Sequence, residues 1–480
     1  MSPDVRKAAR WEMNWSEVAV LDGNAVALGI AESTLMEAAG LALAEAAKEM
    51  AKGAVLVLCG SGNNGGDGFV ASRYLREWGF STAVLASHNN SRGQTAINAR
   101  DSAGEITIWP DKPEGDYSLI VDCLLGAGAG LGDSLRSPIA EVAAWARGMD
   151  VPILACDIPT GLGGPDVLTA DTTITYHSMK QGLHSSKAGE VRVSELPWPA
   201  EVEDCGPGDA KRYPRLDATA RKGDRGRLWV IGGGPYHGAP ILAGMAAARS
   251  GCDLVHVAMP SKSASRAEWP ASLIPEILPD SEMLTEDSLE AISMAFSKRG
   301  ADAVVIGPGL GRDEKTKSAV STILQMAADI GTPVVIDADA ISALPSGKWP
   351  QGLIGVATPH AGEAERWLGE VSASQAVEGC SGEDVVIVVT GAEDLLTGPQ
   401  GRSCKATGGH PRMAVGGTGD LLAGTIGGLL AQGMPAWPAA RLGCALLRQA
   451  GARAAEQAGP GLLAEDVPVE IAKVLREWTV

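Results

Sequence analysis

The sequence predicts an α/β protein made of two successive, doubly wound, mostly parallel sheets, and three observations carry that expectation. Short apolar runs ending in Gly, Asp or Asn alternate with helical stretches, the trace that parallel strands and their crossover helices leave in a sequence. The chain has 480 residues, enough for two or three domains at roughly 150 residues each. Between the alternating halves lies LPWPAEVEDCGPGDAKRYPRLDATARKGDRG, Leu196 to Gly226, rich in Pro, Gly and charge and without sustained periodicity. A boundary is expected there, with one domain over 1–215 and the second over 216–480.

The elements follow in order. Ala19–Gly29 and Ser33–Ala51 are expected helices, the second opened by a Ser33 cap and small and apolar along one face (LMEAAGLALAEAA). AVLVLCG, SLIVDCLLG and VPILACDIPTG read as strands, with a helix over Phe69–Gly79 after the first. Beyond the boundary RLWVIGGG, DLVHVAMP, ADAVVIGPGLG, TPVVIDADA and EDVVIVVTGA read as strand-to-loop units separated by helices. The halves share a style but no repeated motif, so two different domains are expected rather than a duplication.

Composition limits the partners. Lys plus Arg number 40 against 58 Asp plus Glu, a formal net charge of -18, which argues against a nucleic-acid or anionic-membrane partner and requires any anionic ligand to be held locally. With 45% hydrophobic and 20% charged residues the chain is neither disordered nor fibrous. The eight cysteines stand singly with no C-x-x-C pair, so reduced core thiols are expected ahead of a metal or redox role. Met1–Lys52 has neither a signal peptide's apolar block nor a targeting helix's basic bias, and no stretch of about eighteen uncharged apolar residues follows. A cytoplasmic protein with small-molecule partners, associating with further copies of itself, is the expectation.

Two constellations carry chemistry. Asn63–Gly68 spells NNGGDG after the first strand and ahead of a helix, so its N–H groups face outward as a cradle for an anion, or as an ordinary glycine turn capping that helix. Asp122 closes SLIVD and Asp157 closes PILACD, so carboxylates and amides converge on one sheet edge. The hard oxygens of Asn64, Asp122 and Thr160 suit an alkali or alkaline-earth cation rather than zinc.

CGSGNNGGDGFVASRYL, with VDCLLGAG and CDIPTG downstream and LDGNAVALGIAESTLMEAAG upstream, resembles the NAD(P)H-hydrate epimerase family from Met1 to about Leu196. The resemblance implies a Rossmann-like fold and epimerisation of the C6 hydroxyl of hydrated NADH or NADPH. On matching positions it implies that Asn63, Asn64, Gly65, Gly66 and Asp67, with Gly126, Gly128 and Gly130, hold the dinucleotide, and that Asn64, Asp122 and Thr160 hold K+. It also places Asp157 at the reacting ring, where we expect it to transfer the proton. Thr160 stands where the family usually has Ser, which preserves the oxygen ligand, and Ala127 replaces a frequent Thr.

In the second half Gly416–Asp420 spells GGTGD ahead of LLAGTIGGLLAQG. N–H groups at a helix start beside one carboxylate suit phosphoryl transfer, although a plain helix cap also fits. With KGDRGRLWVIGGGPYHGAP, VVIGPGLG, VVIDADAI and TPHAGEAERWLG upstream, residues from about Arg221 to Val480 resemble the ADP- or ATP-dependent NAD(P)H-hydrate dehydratase family, which has a ribokinase-like fold. The resemblance implies phosphorylation of the C6 hydroxyl and loss of phosphate, with ADP favoured over ATP. Ala239, Gly309 and His360 would line the hydrate's site and Asp420 would be the base. Thr390, Gly391, Ala392, Glu393, Asp394 and Gly419 would meet the nucleotide, and Glu363 would hold Mg2+ through water. His360, after Thr-Pro, also fits a simple helix cap, and Glu363 a solvated helix charge. A small-molecule kinase acting on a vitamin alcohol fits GGTGD alone, and a non-enzymatic binding module is the other reading of the first half.

Two departures concern the nucleotide. The family usually carries Lys where Thr390 stands, and often His-Gly where Arg448 and Gln449 stand, so a charge contact to phosphate is missing here. Thr390→Lys is expected to tighten ADP or ATP binding in a calorimetric titration; an unchanged affinity would contradict it.

Overall fold

Alternation of side chains along each strand decides the layering. In the computed structural model, which describes residues 12–215, 217–380 and 382–479, the chain divides into two units at Val202/Glu203. The expectation for residues 1–11 lies outside the described residues.

The first unit is a seven-stranded, wholly parallel sheet in the order β3-β2-β1-β4-β5-β6-β7. Its strands are β1 (Ala54–Cys59), β2 (Thr82–Ala86), β3 (Thr107–Ile108), β4 (Tyr117–Cys123), β5 (Ile153–Cys156), β6 (Thr172–Tyr176) and β7 (Glu190–Ser194). On β1, Val55, Val57 and Cys59 pack with side chains of the helices Glu32–Met50, Asn63–Glu77 and Gln94–Ser102, while Leu56 and Leu58 pack with the helix Ile139–Arg147 on the other face. A strand buried on both faces is what an uninterrupted apolar run encodes.

The second unit has nine strands in the order β10-β9-β8-β11-β12-β13-β14-β15-β16. They are β8 (Arg227–Ile231), β9 (Leu254–Pro260), β10 (Leu273–Leu278), β11 (Ala303–Ile306), β12 (Val334–Ile336), β13 (Gly355–Ala357), β14 (Val385–Val389), β15 (Asp394–Thr397) and β16 (Ser403–Ala406). All pair in parallel except β15 and β16, which close one edge as an antiparallel hairpin. Strand order reverses between β1 and β4 in the first unit and between β8 and β11 in the second, and ligands of open α/β sheets bind at such reversals.

The expectations need four corrections. The boundary lies at residue 202 rather than 215, because Asp209 on the 3-10 helix Pro207–Arg212 makes a buried ion pair with Arg441 at 2.5 Å. That pairing ties the segment to the second unit. NNGGDG does not precede its helix but forms the first turn of it, since the helix starts at Asn63 and not Phe69. Ser33 is not a cap: the helix starts at Glu32, and Ala31 at its N-cap makes no side-chain bond. The first helix runs Trp15–Ala27, capped by Asn14 in a reciprocal box with Glu17, so it begins four residues before the expected Ala19. The eight cysteines are free thiols, six of them buried, as expected of core residues.

The helix Thr418–Ala431 carries a glycine where two backbones touch. A Cβ on Gly424 would lie 1.9 Å from the carbonyl oxygen of Ala243 on the helix Gly238–Arg249. Ordinarily Gly→Ala inside a helix stabilises by about 1 kcal/mol. Gly424→Ala is expected to destabilise instead, by about 1–3 kcal/mol, read as a lowered urea midpoint of the second unit; a raised midpoint would contradict the close approach.

Candidate active sites

In the first unit a cavity of about 680 Å³ opens at the strand-order reversal, walled by the ends of β1, β4, β5 and β6 and by the helices Trp15–Ala27 and Glu32–Met50. Asn63, Asn64, Asp67, Gly126, Gly128 and Asp157 line it, as expected. Gly65, Gly66 and Gly130 do not. Gly65 is there for proximity, since a Cβ would meet the Gly60 carbonyl oxygen at 2.0 Å; Gly66 abuts Met36, and Gly130 merely ends the 3-10 turn Ala127–Ala129. Gly62 at the N-cap offers no side-chain cap, so the first N–H groups of the helix remain available to an anion.

Asp157 adopts φ 67°, the left-handed region that few non-glycine residues visit. Its Oδ2 accepts the Ala127 N–H at 2.7 Å, and its Oδ1 lies 2.6 Å from Nζ of Lys180. Burial, and then Asp157, push Asp22 up to about 6, and the same causes hold Asp67 well above the usual carboxylate range. Beneath the cavity Asp122 is wholly buried. Its oxygens accept the Thr160 hydroxyl at 2.7 Å and the Thr160 N–H at 2.9 Å, and burial pushes it up to about 6. The Asn64 amide nitrogen is buried with no partner. The Asp122 carboxylate and the Thr160 hydroxyl are hard oxygens of the kind an alkali ion takes, whereas the orphaned atom of Asn64 is a donor nitrogen, so only its Oδ1 could join such a set. No cluster of three His, Cys, Asp or Glu that would hold a metal occurs among the described residues.

In the second unit a cavity of about 570 Å³ lies at the reversal between β8 and β11, lined by Pro235–Ala239, Leu242, Gly309, Ala338, Asp339, Gly416, Gly417 and Asp420. Ala239, Gly309 and Asp420 therefore converge. The helix Thr418–Ala431 starts from Gly417 at φ 100° with no side-chain cap; the Thr418 N–H goes to the Val415 carbonyl, and the next N–H groups, of Gly419 and Asp420, remain for an anion. Burial, and then Asp339, push Asp420 up to about 7. Burial, and then Asp420, push Asp337 up to about 8; its Oδ1 accepts the Thr358 hydroxyl, and its Oδ2 is buried without a partner.

The sequence profile described as NAD(P)H-hydrate dehydratase matches residues 228–473, and that described as YjeF-related protein N-terminus matches residues 32–182. A bifunctional NAD(P)H-hydrate repair enzyme Nnr of Hyperthermus butylicus is 33% identical over 96% of this chain and 91% of its own length. The chain belongs to the bifunctional NAD(P)H-hydrate repair enzyme family. Its relative of the same name from Escherichia coli K12 is 35% identical over 81% of this chain and 78% of its own. An ADP/ATP-dependent NAD(P)H-hydrate dehydratase from Bacillus subtilis, co-crystallised with ATP and Mg2+, is 24% identical with a TM-score of 0.46, over 56% of this chain and 96% of that one. Among the described residues no helix is long and apolar enough to cross a membrane.

Against the pattern of this repair family, several expected residues stand outside the second cavity's wall. His360 caps the helix Ala361–Leu368: its Nδ1 accepts the Gly362 N–H, and Glu363 accepts the His360 N–H at 3.1 Å. The cap reading of His360 therefore accounts for both its bonds and those of Glu363. Thr390 bridges to His360 as a short parallel pair. Gly391, Ala392 and Asp394 are clamped by Arg448, which reaches both Asp394 oxygens and the carbonyls of Gly391, Ala392 and Gly408. Every guanidinium N–H is thereby committed, so Arg448 shapes the loop and has no donor left for a phosphate. Exposed Glu393 instead meets Lys405 at 3.5 Å, and Gly419 lies in the first turn of its helix, outside the wall. Asp22, Lys180, Asp337 and Asp339 were not singled out by sequence. VVIDADA signals the last two as strand-end carboxylates, whereas nothing local marks Asp22 or Lys180.

In the unfolded chain Asp337 and Asp420 release their protons near 3.8; in the folded chain they keep them to about 8 and about 7. The folded form then holds protons that the unfolded form has lost, and stability falls as pH rises through that window. Asp337→Asn is expected to gain on the native protein in urea midpoint between pH 5 and pH 9; a difference independent of pH would contradict it.

Proposed function

We propose that this chain repairs hydrated NADH and NADPH, interconverting the R and S hydrates at C6 in its first unit and dehydrating the S hydrate with ADP or ATP in its second. The observation that carries the reading is that each reversal point brings a motif carboxylate, Asp157 or Asp420, into a cavity beside an uncapped helix N-terminus. Each pairing supplies what its reaction needs: a group that moves a proton and N–H donors that hold phosphate oxygens.

In the first unit the diphosphate of the substrate meets the start of the helix Asn63–Glu77, and the damaged ring lies toward Asp157, which takes the proton of the C6 hydroxyl as the C6–N1 bond opens, the electron pair passing to N1, and returns it as that bond re-forms on the other face of C6. K+ held by Asn64, Asp122 and Thr160 would supply the positive charge that the buried Asp122 lacks. In the second unit Asp420 accepts the proton of the C6 hydroxyl as the phosphoryl group is transferred to that oxygen. A carboxyl pushed up to about 7 takes this proton far more readily at neutral pH than an ordinary aspartate. Helix N–H groups steady the charge on the transferred oxygens, after which phosphate leaves C6 as a proton is lost from C5, and the dihydronicotinamide ring is restored. Mg2+, held through water near Glu363 and the orphaned oxygen of Asp337, would neutralise nucleotide phosphates.

Recovery of NADH absorbance from separate R and S hydrates tests the reading. Asp157→Asn is expected to abolish recovery from R while sparing S, and Asp420→Asn to abolish both, each by a factor of about 100 or more. Nucleotide consumed without NADH recovered would instead favour the vitamin-type kinase, and R hydrate repaired at the native rate by Asp157→Asn would remove that residue from its role.

A further inference from the structure

Lys180 follows β6 in the segment HSMKQGL and is only 2% exposed. Lysines are almost never buried to that degree, because an ammonium taken from water must be paid back by partners at every donor. All three donors are accounted for: Nζ lies 2.6 Å from Oδ1 of Asp157, 2.7 Å from Oγ1 of Thr175 and 3.0 Å from the carbonyl oxygen of Tyr176. Lys180 lines the first cavity, yet it has no N–H to offer a phosphate or a ring substituent. Its position therefore serves Asp157 rather than the substrate.

Asp157 needs such service. With its backbone in the left-handed region, its carboxylate is held at one oxygen by the Ala127 N–H and at the other by the ammonium at 2.6 Å and, more weakly, by the Thr175 hydroxyl at 3.5 Å. The remaining lone pairs are thereby fixed in direction. Around it stand Asp22 from the helix Trp15–Ala27, Asp67 from the helix Asn63–Glu77, Glu32 at the start of the next helix, and Tyr176 and His177 at the end of β6. Three of those neighbours are carboxyls, and the substrate is itself anionic. Without an opposite charge at Oδ1, the Asp157 carboxylate would face Asp22 and Glu32 with nothing but the Ala127 N–H and the weak Thr175 bond to hold its alignment.

We propose that Lys180 is a positioning residue of the epimerase site, fixing the Asp157 carboxylate toward the reacting carbon without touching the substrate. This rests on the reading of Asp157 as the proton-transfer group. A catalytic group displaced by about 1 Å loses roughly 100-fold in rate, and the loss falls on turnover because the cradle that binds the dinucleotide is elsewhere in the cavity.

The test is steady-state epimerisation of hydrated NADH by the full chain, with the two epimers separated and counted, in Lys180→Met, Lys180→Arg, Thr175→Val, Thr175→Ser and Asp157→Asn. Lys180→Met is expected to lower kcat about 100-fold with KM within threefold and the thermal midpoint of the first unit retained, and Lys180→Arg to recover at least tenfold of that loss. A kcat within threefold of native in Lys180→Met, a loss that falls on KM, or an arginine variant as slow as the methionine one would overturn the proposal. If Lys180→Met does not fold, Thr175→Val decides. It removes one acceptor of the ammonium, together with the weak 3.5 Å bond from the Thr175 hydroxyl to Asp157 Oδ1, and leaves every charge in place; a several-fold lower kcat at unchanged KM, larger than the loss in Thr175→Ser, supports the proposal, and an unchanged kcat, or a loss no larger than that of Thr175→Ser, overturns it. Native epimerisation by Asp157→Asn would bring down the reading of the site itself, whereas an indifferent Lys180→Met beside an inactive Asp157→Asn would bring down only the role of Lys180.

Discussion

Parallel strands deliver their carboxyl ends to one edge of a sheet, and where the winding direction reverses, the crossover helices diverge and leave that edge uncovered. Both sheets reverse once, between β1 and β4 and between β8 and β11, and both cavities open there. What a strand end carries is thereby exposed to a ligand on one side and to the packed core on the other. Asp122, Asp157, Asp337 and Asp420 are placed by this constraint, the last at the start of a helix that packs through Gly424 directly on the backbone of its neighbour. The chemistry of each unit depends on this geometry more than on any single contact.

The constraint has an electrostatic consequence. Carboxyls at the edge of a core lose water, and burial is the largest cause of the raised values of Asp22, Asp67, Asp122, Asp337 and Asp420. A chain of net charge -18 thus crowds carboxyls where, in the proposed reading, anionic dinucleotides and nucleotides would bind. Compensation is local. Two helix starts lack side-chain caps, Lys180 stands against Asp157, and Asp337 keeps one oxygen without a partner. Protonation, N–H groups and cations are the three ways to relieve such crowding, and each also serves the proposed chemistry.

Much of this was legible in sequence, and what was not has physical reasons. Central strands buried on both faces announce themselves as apolar runs, so β1, β4, β5, β8, β9, β11, β12 and β14 were readable. The polar strands β6 (TTITY) and β7 (EVRVS), the edge strand β10 and the two- or three-residue strands β3 and β13 leave no such run. Glycine motifs marked both helix starts but not their phase: a residue in the first helical turn and one in the preceding loop look alike when no capping side chain separates them. The sites were legible where a motif sat at a strand end. Lys180 and Asp22 come from a loop and an amphipathic helix whose facing is decided by tertiary packing, and His360 shows the converse, a motif residue whose ring nitrogen is spent on a local cap.

In the proposed reading Asp157 serves the first reaction and Asp420 the second, each within its own unit. Mixing Asp157→Asn protein with Asp420→Asn protein, each defective alone, tests it most directly. Starting from pure R hydrate and ADP or ATP, the mixture should regenerate NADH, because one protein epimerises and the other dehydrates the S hydrate released into solution. A mixture no more active than the better single variant would show that the two carboxylates must act within one chain, and would contradict two self-sufficient sites.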